Sequence, residues 1–235
     1  MLEEPEKTLT LPSLDHTRIL RALQIPVRME SAGQDPDLYR QLEEQIRLCE
    51  AEVLRYSAPR AVCRILPLEE IHSILIGDDI HRLLDDCSEA VLMAVTLGTA
   101  LERRLMQEEV TNISNAYLLD VCASQAVEET ADLYESCLRE EILSAGKYLT
   151  NRYSPGYGDF PLSVQKILLE ILNAGRAIGL TLTKTDLMVP RKSITAVLGI
   201  SDRPKPDVYG GCRHCPLLTK CSWREHGDRC IQREH

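Results

Sequence analysis

An arginine four residues ahead of a Gly-Tyr pair is the arrangement in this sequence best suited to hold a charged ligand. It stands in the stretch Asn151-Arg152-Tyr153-Ser154-Pro155-Gly156-Tyr157-Gly158-Asp159-Phe160-Pro161. Arg152 presents a planar fork that takes a carboxylate or phosphate through two parallel N–H···O bonds. Pro155-Gly156 reads as a tight turn, since proline fixes φ and glycine tolerates positive φ. The glycines on either side of Tyr157 leave backbone that a ligand can approach without a Cβ in the way. The Tyr157 ring can cover such a ligand and favours a nearby cation.

A second group of chemistry-bearing residues lies near the C-terminus, as Cys212-x2-Cys215-x5-Cys221-x8-Cys230. Cys-x-x-Cys holds two thiolates close enough for one metal, and Cys221 and Cys230 complete a set of four sulfur ligands. Zinc and an iron–sulfur cluster both suit that set, with His214 and His226 as replacement ligands; the spacing does not separate the two. The bland alternative is a tail of reduced thiols. The other cysteines (Cys49, Cys63, Cys87, Cys122, Cys137) are scattered among apolar residues, where a small buried thiol is the usual reading.

Other chemistries find little footing. His16, His72 and His81 stand alone in amphipathic stretches, with no nucleophile spaced for a triad. No P-loop or Gly-x-Gly-x-x-Gly occurs. A formal net charge of −9 leaves no basic surplus to neutralise phosphates, which argues against nucleic acid. No apolar run approaches a membrane span, and the polar, acidic first residues lack a signal-peptide core, so a cytoplasmic protein is expected.

These groups need elements to position them. A helix is expected from Asp35 as N-cap and Pro36 as first helical residue to about Tyr56. Strands are expected over 61–66 and 73–76, with a short helix over 80–87. The continuous apolar run from Ala90 to Gly98 reads as a buried central strand. A helical stripe of Leu119, Cys122, Ala126, Leu133 and Cys137 runs from about 114 to 143, with Glu128 and Glu129 off its centre. A strand over 148–153 leads into the Pro-Gly turn. A helix follows from Ser163 to about Asn173, then strands over 187–189 and 193–200. This irregular alternation favours an α+β fold with a mixed or antiparallel central sheet flanked by helices. The expected organisation is an N-terminal segment (1–34), one domain (35–203) and a cysteine-rich tail (204–235).

The chain resembles the activation (reactivation) domain of cobalamin-dependent methionine synthase, in the form of its stand-alone relatives. That family carries Arg-x-x-x-Gly-Tyr-Pro for S-adenosylmethionine, and this chain has Arg152-x-x-x-Gly156-Tyr157-Gly158, with glycine in place of the last proline. The strand ending in Thr96-Leu97-Gly98, followed by a helix bearing Glu102, is similar to a family feature. So is Met188-Val189-Pro190-Arg191-Lys192-Ser193-Ile194-Thr195. The acidic residue in the family's aromatic-rich Trp-x-Pro-Phe-Phe setting has no counterpart here.

By that resemblance, S-adenosylmethionine is bound by Arg152 at its carboxylate and by Glu128 at its ammonium. Glu128 stands in the matching segment Ala126-Val127-Glu128-Glu129, with Glu129 as the adjacent choice. Ser154, Gly156 and Tyr157 would line the site, and Tyr209 would approach the ligand from the tail. The implied activity is that of an accessory methyltransferase component. An electron donor such as flavodoxin or ferredoxin reduces cob(II)alamin on a partner, and S-adenosylmethionine methylates it to methylcobalamin. The implied partner is a cobalamin-binding methionine synthase chain, since no Asp-x-His-x-x-Gly motif occurs here. Two rivals stand beside this reading. One is a reductive activator of another corrinoid methyltransferase with an iron–sulfur tail, and the other is a non-enzymatic zinc-tailed adaptor. Taken residue by residue, the same stretch also suits a strand-to-helix connection in which Arg152 is an ion-pair partner and Glu128 one more solvated carboxylate.

Overall fold

The apolar run at 90–96 becomes the middle of a sheet covered on both faces. The structure, a computed structural model, describes residues 3–11, 13–25 and 36–205. Strand β3 (Cys87–Thr96) is fully buried from Ala90 to Thr96. Its residues alternate between faces, as the period of two requires. Val91, Met93 and Val95 join one apolar cluster, while Ala90, Leu92 and Ala94 join another.

Five strands run in the order β1–β2–β3–β7–β4, every pair antiparallel. They are β1 (Glu3–Thr8), β2 (Arg60–Pro67), β3, β7 (Ser193–Ser201) and β4 (Tyr148–Leu149). The first face is covered by α1 (His16–Ala22), α2 (Pro36–Tyr56), α5 (Thr99–Thr111) and the 32-residue α6 (Ile113–Ser144). The second face carries shorter pieces, α3 (Leu68–Ile71), α4 (Asp78–Leu83), α7 (Val164–Ile171) and α8 (Ala174–Ala177). A small hairpin of β5 (Thr181–Leu182) and β6 (Met188–Val189) stands apart from the main sheet. The α+β reading with an antiparallel sheet therefore holds.

Several boundaries differ from the sequence expectation. Residues 73–76 do not form a strand; His72–Ile74 is a 3-10 turn whose Ile74 packs into the second core. The alternation there came from single apolar residues anchoring a turn. The next helix starts at Asp78 rather than residue 80, because Asp159 supplies an N-terminal cap from far along the chain. The strand expected over 148–153 is only Tyr148–Leu149, followed by one isolated bridge from Tyr153 to Val197. The N-terminal segment adds an edge strand to the sheet and lays α1 against α6. The exposed charged residues Glu6 and Lys7 of β1 suit an edge position. Asp35 lies outside the described residues.

Candidate functional site

The chain between Leu149 and Phe160 passes between the two layers and is fastened to both. Because successive residues point to opposite faces of an extended strand, Arg152 and Tyr153 are sent in different directions. Arg152 meets α6. Tyr153 joins the core on the other side.

On the α6 side, Glu128, Asp132 and Glu135 recur at intervals of four and three residues, which places them on one stripe of the helix. All three reach Arg152: Nη1 donates to Asp132 at 2.6 Å and to Glu135 at 2.9 Å, and Nη2 donates to Glu128 at 2.9 Å. Arg152 is only 13 % exposed. Burial opposes its charge, but the surrounding carboxylates, Asp132 first, outweigh that and keep the guanidinium ionised. Burial also pushes Asp132 up, yet the Arg152 charge and the Arg18 hydrogen bond reverse the direction and hold it below the ordinary aspartate range. Arg18 of α1 braces Asp132 from outside at 3.1 Å, and Arg139 braces Glu135 at 2.7 Å while donating to the carbonyl of Thr150.

Glu128 and Asp132 are the exposed members of the stripe, at 49 % and 42 %, whereas Glu135 is 9 % exposed; Asp132 is held by Arg18 as well as by Arg152. Glu129 faces elsewhere, accepting the N–H of Asp15 and the amide of Gln125, both at 2.9 Å. The structure thus puts Glu128, and not Glu129, beside Arg152. The arginine is an ion-pair partner, as the bland reading had it, and the pair is also accessible. A zwitterionic amino-acid head brings one negative and one positive group, so it can enter between Arg152 and Glu128 and leave neither charge unpaired.

On the α4 side, the turn is closed by its own backbone. The N–H of Gly156 donates to the Phe160 carbonyl at 2.8 Å, that of Phe160 to Tyr157 at 2.9 Å, and that of Tyr157 to Ser154 at 3.1 Å. The Gly156 amide is therefore spent within the turn, and what glycine provides there is a φ of +94°. Phe160, the chain's only phenylalanine, is buried and stacked on Tyr153 with ring centroids 6.1 Å apart. Tyr157 lies edge-on to Tyr153, also at 6.1 Å, and is 58 % exposed. Partial burial of its hydroxyl, and then the Glu128 charge, push the phenol above its ordinary range, so it stays protonated at neutral pH.

Asp159 accepts the N–H groups of Asp78 at 2.6 Å and Asp79 at 3.1 Å, capping the start of α4. Those bonds, the one from Asp79 first, hold its carboxyl below the ordinary range. Asp79 in turn accepts the Tyr153 hydroxyl at 3.2 Å. Gly158 has φ +52°, and a Cβ there would run into the Asp79 carboxylate and the Tyr153 hydroxyl. Proline cannot adopt that φ. Gly158 thus holds a turn shape that the proline of the family pattern could not adopt.

Sequence reasoning missed Asp132, Glu135, Asp79 and Asp159. The first two had a readable signal in their helical spacing with Glu128. The last two meet across about 80 residues of sequence, with no local signal. Tyr209, Cys212, Cys215, Cys221 and Cys230 lie outside the described residues.

Known proteins resemble this chain in sequence pattern over part of its length and in fold. The pattern of the family "Vitamin B12 dependent methionine synthase, activation domain" matches residues 119–207, which include Glu128 and the whole Arg152–Phe160 turn. A search of curated proteins gives no match. Among solved structures, the MetH reactivation domain bound to AdoHcy superposes with a TM-score of 0.60 at 14 % identity, covering 86 % of this chain and 79 % of that one. The fold is that of the methionine synthase activation domain. Over 119–207 the sequence pattern is the activation domain's as well, and that segment runs from α6 through the fastened turn to just beyond β7.

Proposed function

We propose that this activation-domain protein binds S-adenosylmethionine at the Arg152–Glu128 pair and serves the reductive methylation of a corrinoid on a partner protein. The accessible 2.9 Å contact between an ionised, largely buried guanidinium and a half-exposed carboxylate carries the reading. On binding, Arg152 keeps Asp132 and Glu135 and exchanges Glu128 for the ligand carboxylate. Glu128, released, takes the ligand ammonium. Tyr157 is exposed next to the pair and covers the ligand, its ring favouring the sulfonium.

The partner's reduced cobalt supplies the electron pair that forms the cobalt–carbon bond as the sulfur–methyl bond breaks, leaving S-adenosylhomocysteine. This chain's residues bind and orient the donor; methyl transfer from a sulfonium needs no general base. The partner is a cobalamin-binding methionine synthase chain, and the electron comes from a flavodoxin or ferredoxin.

The four C-terminal cysteines are assigned to a metal. Four within such a short span need a reason in a reducing compartment. They fall beyond the stretch that matches the activation-domain family. An iron–sulfur cluster there would place an electron carrier on the activator itself; zinc would make the tail structural.

The test combines the protein with a cob(II)alamin-loaded methionine synthase chain that lacks an activation domain of its own, reduced flavodoxin and methyl-labelled S-adenosylmethionine. Label should appear on cobalamin only when this protein is present, and Glu128→Gln should slow its appearance. Equal labelling without the protein would contradict the proposal. Metal analysis of protein purified without oxygen addresses the tail. Iron and sulfide with visible absorption indicate a cluster, one zinc per chain a structural site, and no metal removes the assignment.

A further inference from the structure

We propose that Asp159 is a positioning residue for the ligand-binding turn: by capping α4 it sets the backbone shape in which Gly156 and Tyr157 receive the ligand. The inference rests on the S-adenosylmethionine reading of the Arg152 site and adds to it a residue that does not touch the ligand.

The contacts form a closed circuit. Asp159 holds the amides of Asp78 and Asp79. Asp79 holds the Tyr153 hydroxyl. Tyr153 carries the Tyr157 ring on its edge and the Phe160 ring on its face. The backbone bonds from Gly156 to Phe160 and from Phe160 to Tyr157 then return to the residue beside Asp159. Two glycines let the halves interlock. A Cβ on Gly77, at φ +112°, would press on Asp159, and one on Gly158 would press on Asp79 and Tyr153. Each strand of the lock therefore has a glycine opposite an aspartate of the other.

Two features separate this from ordinary capping. α4 is only six residues long and buries little beyond Ile80 and Leu83, so a strong cap is out of proportion to the helix it stabilises. The lock also closes on the segment that carries Tyr157. Without it, the turn keeps its internal hydrogen bonds and its Phe160 anchor but loses its tie to α4. The receptive conformation then becomes one of several, and apparent affinity falls by the fraction that remains receptive.

The experiment titrates S-adenosylhomocysteine into the wild type, Asp159→Ala and Asp159→Asn, with amide hydrogen exchange measured on each. Loss of a cap shifts a local equilibrium by about tenfold, and affinity follows the fraction that stays receptive, so Asp159→Ala should bind measurably more weakly, at most about tenfold. Asp159→Asn, which keeps one acceptor oxygen, should recover part of that loss. Exchange should rise at 77–80 and 156–160 together in Asp159→Ala, with α6 unchanged. Wild-type affinity in Asp159→Ala would overturn the proposal, as would an Asn variant no better than Ala. Should the wild type itself not bind, the ligand reading fails and exchange decides the lock. Faster exchange at 156–160 in Asp159→Ala then keeps Asp159 as the residue that sets the turn, whereas unchanged exchange there removes it.

Discussion

Arg152 is gripped by side-chain charges on α6, whereas Gly158 and Asp159, a few residues on, are gripped through backbone and steric contacts at the start of α4. The first grip is partly solvent-exposed and its outermost carboxylate can be exchanged for another. The second admits no exchange, because two glycines without room for a Cβ fix how the chains meet. The difference suggests a division of labour within one short stretch. The charged half is where a ligand can replace a protein group, and the locked half keeps the turn in place while that happens.

Removing the guanidinium should have the largest effect. Arg152→Ala leaves Glu128, Asp132 and Glu135 facing one another, and loss of one partner of a buried ion pair costs about 3 kcal/mol, at the low end of the range because two of the acids are half-exposed. Denaturant titration should show that loss, so reduced ligand binding in Arg152→Ala does not by itself locate the site. The same nest governs acid stability. Asp132 has a folded-state pKa below its unfolded one, so its contribution is present above about pH 4 and is lost as pH falls through the folded value. Asp132→Asn should flatten that part of a stability–pH curve.

The locked half is probed next. Gly158→Ala puts a Cβ at positive φ against Tyr153 and Asp79 and should cost about 2 kcal/mol. Gly158→Pro, which installs the family's usual residue, should be worse than Ala; a proline variant as stable as wild type would contradict the turn shape described. Tyr153→Phe deletes the hydroxyl bond to Asp79 and should cost about 1 kcal/mol, with its stacking on Phe160 retained. Tyr157→Phe should change stability by under about 0.5 kcal/mol, since the ring is largely exposed. A larger loss there would make Tyr157 part of the lock instead of the ligand surface.

What the sequence revealed follows the reach of each interaction. The long α6, the buried β3 and the Pro-Gly turn are encoded by neighbours, and their patterns were readable. Glu128, Asp132 and Glu135 are within reach of the same logic, since helical spacing alone aligns them, but spacing does not tell that Arg152 lies opposite. The lock was not legible. Asp159 caps a helix that begins at Asp78, and the early start of α4 depends on that distant carboxylate. Glycine at 158 looked like a loss from the family motif, and only the backbone angle shows what it permits. Residues 73–76 misled for a related reason, since a turn whose side chains anchor in a core imitates the alternation of a short strand.

The most direct test of the account is calorimetric titration of S-adenosylmethionine into the wild type and into Glu128→Gln. Glu128 is half-exposed and its replacement leaves Arg152 with two carboxylates, so the variant should fold normally. Saturable binding by the wild type, weakened at least about tenfold in Glu128→Gln, is the predicted result, the ammonium having lost its charged partner. Wild-type affinity in Glu128→Gln, or no binding to either protein, would contradict the assignment of the Arg152–Glu128 pair as the ligand site.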